Sequence, residues 1–205
     1  MNITEMRTLL RRDLRDTDPA GYRWADEELD RHLLRAAREL SGYLPLAQTA
    51  ELTTSAGSRE VDIASLTDRV CIEAVEYPAG LSPASLPGFQ VRGDTLLLMD
   101  GEVPDGSICR VYWGKLHALD TSGSTIPSRL SDLVIAGAAG YAAAAQGAGA
   151  INRVNTGGIQ TPRDWAEWGE KRLAFFYREL RRLGGKNRVR VRRLYLEAGR
   201  TEDTE

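Results

Sequence analysis

The sequence predicts an α+β fold: a helical bundle built from both ends of the chain, an inserted antiparallel β region, and an extended C-terminal arm. Three observations predict it. Apolar residues recur at helical spacing over 1–48 and again over 121–185. Residues 49–120 switch to short β-branched runs punctuated by Gly and Pro. The segment 186–205 switches once more, opening on alternating basic and apolar side chains.

The first helix starts at Thr4 as a plausible N-cap and carries Met6, Leu9, Leu10 and Leu14. Asp16-Thr17-Asp18-Pro19-Ala20-Gly21 breaks it. A second helix opens at Asp26-Glu27-Glu28, whose carboxylates suit the positive end of a helix dipole. Leu29, Leu33, Ala36 and Leu40 give it one apolar face, and Gly42 and Pro45 end it. His32, at the edge of that stripe, is expected at the surface or boundary.

About six strands follow, with no helix between them, so the sheet should be largely antiparallel. The runs 50–54 and 59–63 flank Ser55-Ala56-Gly57-Ser58 as a hairpin candidate. The runs 89–91 and 95–99 flank Arg92-Gly93-Asp94 as another. Strands are also expected at 69–77 and 107–116, with an irregular loop at Pro78, Pro83 and Pro87.

Helices return at Ser128, which can cap a helix reaching about Asn152. Its core, Val134 to Ile151, is 18 residues without a charge, nine of them Ala and four Gly. That composition is too weakly apolar for a membrane span and predicts a buried helix in close backbone contact with a neighbour. Asn155-Thr156-Gly157-Gly158 reads as a turn. Thr161-Pro162 starts the last helix, with Trp165, Leu173, Phe176, Leu180 and Leu183 on one stripe. Gly184-Gly185 is expected to end it.

Catalytic and metal chemistry is poorly represented. Neither Cys71 nor Cys109 belongs to a CxxC, and both read as reduced core thiols. There is no HExxH, Walker A loop or strand-linked GxGxxG. His117, Asp120 and Ser122 or Ser124 are close in sequence, but nothing supplies a nucleophile elbow or an oxyanion hole. The expectation is a non-enzyme with no cofactor and no metal. The N-terminus has no apolar signal core, so no secretory leader is expected.

The net charge of −2 conceals three blocks. Residues 1–177 carry −6, residues 178–196 carry +7, and residues 197–205 carry −3. The positive block ends in Arg188-Val189-Arg190-Val191-Arg192, then Arg193-Leu194-Tyr195-Leu196. Period two describes an extended strand with one cationic edge and one apolar edge. Three readings compete: a solvated tail, a nucleic-acid contact and a protein-docking strand. The apolar edge argues against the tail at about 25 cal/mol per Å² left in water. The single aromatic residue argues against base stacking. Protein docking fits both edges, with arginines on carboxylates and the valines buried. The candidate partner-binding residues are therefore Lys186, Arg188, Val189, Arg190, Val191, Arg192, Arg193, Leu194 and Tyr195. A nucleic-acid-binding accessory protein is the alternative.

Several stretches carry a family resemblance. They are Tyr22-Arg23-Trp24-Ala25-Asp26-Glu27-Glu28-Leu29, Tyr112-Trp113-Gly114-Lys115-Leu116-His117, Thr161-Pro162 with Trp168-Gly169, and Arg182 to Arg192. Through them the chain resembles the head–tail adaptor (connector) proteins of long-tailed bacteriophages. The resemblance implies a structural virion protein that assembles as a homo-oligomeric ring, usually dodecameric, beneath the portal protein. It implies a C-terminal arm docking on the portal and a tail or stopper protein on the other side. DNA would pass the channel without specific binding, and no membrane is involved.

Overall fold

The computed structural model describes residues 1–149 and 162–187. Four helices and six strands lie in the order α1 (Ile3–Asp13), α2 (Asp26–Tyr43), β1 (Leu46–Thr53), β2 (Glu60–Asp62), β3 (Arg69–Glu76), β4 (Phe89–Arg92), β5 (Thr95–Leu98), β6 (Ile108–Lys115), α3 (Ser128–Gly149) and α4 (Pro162–Asn187). This is the predicted α+β class.

The N-cap of α1 is Asn2, not Thr4. Asn2 Oδ1 accepts from the Glu5 backbone N–H at 2.9 Å, and the Glu5 carboxylate accepts from the Asn2 N–H at 3.0 Å. This reciprocal box satisfies two donors at once, which Thr4 inside the first turn does not offer. The Ile3 N–H also donates to Asp120 O at 3.0 Å, tying the start of α1 to the exit of the β region.

Helix α2 buries Leu29, Leu33, Ala36 and Leu40, as its spacing predicts. It also buries His32, which corrects the surface expectation. Two helices, α3 and α4, pack on α2, so its covered face is wider than a four-residue stripe.

The strands form two three-stranded antiparallel sheets, β1-β6-β3 and β2-β5-β4. The hairpin predicted across Ser55–Ser58 does not exist. β1 pairs instead with β6 over its whole length, Leu46 opposite Lys115 through Thr53 opposite Ile108. β2 pairs with β5. The turn carries the chain from one sheet to the other. The β4–β5 hairpin does form, with Arg92 opposite Thr95. Gly93 at φ +58° supplies the left-handed residue that so tight a turn needs. Val61, Leu96 and Leu98 of one sheet meet Val75, Cys109, Val111 and Trp113 of the other in a core of their own.

The helices share a second core centred on α3. Its glycines mark backbone contact. A Cβ on Gly137 would lie 2.9 Å from the Phe176 ring, and one on Gly169 would lie 2.8 Å from Ala144 N. No helix among the described residues is long and apolar enough to cross a membrane.

Helix α4 runs through Gly184-Gly185 to Asn187, past its predicted end. Neither glycine takes the left-handed conformation of a C-cap. Gly184 is there for space: a Cβ would lie 3.0 Å from Tyr43 O of α2. Gly114 serves the same purpose where the two cores meet, since its Cβ would lie 2.6 Å from the Pro45 ring.

Candidate docking site

The structure places Lys186 in the last turn of α4, rather than in an extended arm. Arg188, Val189, Arg190, Val191, Arg192, Arg193, Leu194 and Tyr195 lie outside the described residues. What the structure describes is the support from which they emerge.

That support is α4 and its anchors. Phe176 and Leu180 are buried against α3, and Gly184 backs onto Tyr43. On the opposite side Arg178, Arg181 and Arg182 are exposed. Glu179 pairs with Arg182 at 2.7 Å, one turn along the helix, which leaves the cationic excess in place.

The other end of α4 is held by aromatic packing. Trp165 meets Trp24 edge-on at 5.5 Å between ring centroids, and Trp168 meets Trp165 at 6.1 Å. The Arg23 guanidinium lies 5.1 Å from the Trp165 ring centre. The Tyr22–Asp26 stretch therefore clamps the start of α4.

The same stretch closes a polar network that sequence reasoning missed. The Arg11 guanidinium is buried. It donates to Asp16 Oδ2 at 2.5 Å, to Asp26 Oδ1 at 2.6 Å and to Trp24 O at 3.0 Å. Arg7 holds the other Asp26 oxygen at 2.5 Å. The Arg11 hydrogen bond, offset in part by burial, keeps the Asp26 carboxyl below the usual carboxylate range. Asp16 also accepts from the Arg23 N–H at 2.8 Å. Helix α1, the connecting loop and α2 are thus locked together under α4. An arginine on an amphipathic helix looks like a surface residue in sequence. The acidic loop five residues on was the available signal.

His117 and Asp120 are held apart by different partners. His117 Nδ1 is 3.1 Å from Thr125 Oγ1 and its Nε2 is 3.1 Å from Leu44 O. Asp120 instead accepts from the Ser122 and Gly123 backbone. No His–Asp–Ser relay forms. The His117 backbone N–H donates to Ser41 Oγ at 3.0 Å, so this histidine joins the helical core to the sheets. Burial pushes its pKa down. Among the described residues, no group of three or more His, Cys, Asp or Glu could hold a metal ion. Both cysteines are free thiols, and burial pushes Cys109 up to about 11.

A second exposed surface escaped the sequence reading. Leu81, Leu86, Met99, Val103 and Ile108 are exposed apolar side chains at the end of the β region away from α2. Backbone bonds gather their loops: Ala79 N–H to Ile108 O at 2.9 Å, and Met99 N–H to Gly88 O at 2.8 Å. Isolated apolar residues in Pro- and Gly-rich loops give no periodic signal, which is why the sequence did not reveal them.

Comparison with known proteins is consistent with this inventory of braces and surfaces. No curated protein matches the chain. A protein-family model described as SU10 adaptor protein matches residues 1–193, which includes the clamp, both sheets, α4 and the alternating basic sequence from Arg188 to Arg193. The chain belongs to the SU10 adaptor protein family, a family of phage head–tail adaptors, and its role is that of a structural protein of the virion.

Proposed function

We propose that this adaptor forms a homo-oligomeric ring, dodecameric by resemblance, which joins the portal protein to a tail or stopper protein without catalysis. The residues from Lys186 to Tyr195 dock on the portal. Arg188, Arg190, Arg192 and Arg193 meet acidic side chains, and Val189, Val191, Leu194 and Tyr195 are buried. DNA passes the channel without specific binding. The observation that carries this reading is the family match, whose span runs into the basic C-terminal sequence. The braced, outwardly cationic end of α4 supports it, because a docking strand needs a fixed origin.

Deletion of 186–205 tests the reading. The truncated chain should keep both cores, read by circular dichroism, and lose co-assembly with portal rings, read by electron microscopy. Unchanged co-assembly would refute it. DNA retardation at low salt that vanishes steeply as salt rises would instead favour a nucleic-acid-binding accessory protein.

A further inference from the structure

Helix α2 presents two arginines that portal docking leaves unused. Arg31 and Arg35 stand at i and i+4, both exposed. Neither closes an ion pair among the described residues. The Arg35 guanidinium lies over the Tyr141 ring at 3.9 Å, which steadies it. The two arginines border a cleft of about 450 Å³ whose other walls include His32, Tyr141, Ala144 and Leu173. His32 is 4% exposed and its Nε2 has no hydrogen-bond partner. The cleft thus sets two guanidinium forks above a largely apolar floor, which suits a carboxylate flanked by apolar side chains. Helices α2, α3 and α4 supply its walls, and the β region supplies none of them.

The β5–β6 loop has the complementary build. Its first part, Met99-Asp100-Gly101-Glu102-Val103-Pro104-Asp105, holds three carboxylates and no basic residue. Met99, Glu102 and Val103 are exposed, and Glu102 has no ion pair among the described residues. The loop is held from beneath. Arg59 donates to Asp100 O at 3.2 Å and to Gly101 O at 2.9 Å. The Gly57 N–H donates to Pro104 O at 2.7 Å, and the Gly88 N–H to Asp100 Oδ1 at 2.6 Å. A loop so anchored loses little freedom when it docks. Charge favours the same match. Residues 46–120 hold eleven acidic against five basic residues, which is the whole acidic excess of the chain up to residue 177. Strand β1 carries this end of the sheets about 26 Å from its junction with α2, so the cleft that the loop fits is that of another molecule.

We propose that the β5–β6 loop of one copy inserts Met99 and Val103 into the α2–α3–α4 cleft of a second copy and sets Glu102 between its Arg31 and Arg35. The contact is heterologous: each copy has one loop and one cleft, so each engages two neighbours. Such a contact closes a ring or runs on as a filament, according to the rotation it imposes. That it closes the ring of the adaptor rests on the adaptor reading. The match of loop to cleft does not.

The test is sedimentation velocity on the full chain, with no portal present, over a concentration series reaching about 1 mM, where even a contact with a Kd of about 1 mM is substantially formed. One variant, Arg31→Glu with Arg35→Glu, spoils the cleft. The other, Met99→Ser with Glu102→Gln and Val103→Ser, spoils the loop. All five side chains are exposed, and circular dichroism checks that each variant folds. Wild type should form trimers and larger species, and each variant alone should associate at least about tenfold more weakly. An equimolar mixture of the two should form dimers and stop there, because only the loop of the first and the cleft of the second remain sound. A wild type that stays monomeric throughout would overturn the proposal. So would a variant that associates as wild type does, or a mixture no more associated than its components. Oligomers indifferent to both variants would overturn this contact and leave the adaptor ring standing, whereas failure to join portal rings would count against the adaptor reading alone.

Discussion

His32→Leu should flatten the acid limb of the stability curve. Burial, with Arg31 and Arg35 nearby, pushes the imidazole from its ordinary 6.5 down to about 4. Each pKa unit corresponds to about 1.4 kcal/mol, so protonating His32 costs the fold about 3 kcal/mol more than it costs the unfolded chain. The unfolded chain takes up this proton below 6.5, and the fold resists it until about 4. Stability is therefore complete above 6.5 and falls as pH drops through that window, by up to about 1.4 kcal/mol per pH unit from this group alone. His117, also pushed down by burial, adds a loss of the same sign. Urea denaturation of wild type and His32→Leu across the window isolates the His32 share as their difference. At neutral pH the variant should match or exceed wild type, because it removes a buried nitrogen that has no partner. Parallel pH profiles for the two proteins would refute the reasoning.

Arg11→Ala should lose about 3–5 kcal/mol in chemical denaturation, because it strands the buried Asp16 carboxylate. Adding Asp16→Asn should recover part of that loss. Gly169→Ala should destabilise by about 1–3 kcal/mol, since its Cβ meets α3 backbone that cannot yield. Gly185→Ala, with nothing within 4 Å, should gain about 0.5–1 kcal/mol, and thermal melts should rank the two on opposite sides of wild type. Glu76 accepts from the Gly80 N–H at 2.6 Å and from Tyr112 and Arg110, which hold its carboxyl below the usual range. Its contribution should be present above the ordinary glutamate range and fade as pH falls below it, so Glu76→Gln should weaken the protein at neutral pH and shrink the acid-induced loss.

What the sequence conveyed depends on how local each interaction is. The α2 stripe, the helix start at Pro162 and the β4–β5 hairpin are written within a few residues, and all three were legible. The partner of β1 was not. Its nearest following strand in sequence is β2, yet its backbone groups find β6 more than fifty residues on. Ser55–Ser58 looks the same whether it returns the chain to one sheet or passes it to another. Gly184 was misread for a related reason. Glycine ends helices when left-handed and spares space when helical, and only Tyr43 on a distant helix distinguishes the two. The alternation of basic and apolar residues from Arg188 to Arg192 is plain in the sequence, and the docking expectation built on it falls on residues outside the described region. The Arg11 network and the apolar loops of the β region carry no period at all.

The two hydrophobic cores bear on how such a chain can link different bodies. The helical core and the sheet core meet through the close packing of Gly114 on Pro45 and through polar contacts that include Ser41 to His117, His117 to Leu44, and Ile3 to Asp120. The exposed apolar loops lie eight β1 residues away from that junction, about 26 Å at 3.3 Å per residue. The cationic end of α4 lies beside the junction, against Tyr43. The helices and the sheets thus bury separate apolar clusters. Under the proposed bridging role, a contact made by one region need not repack the interior beneath the other.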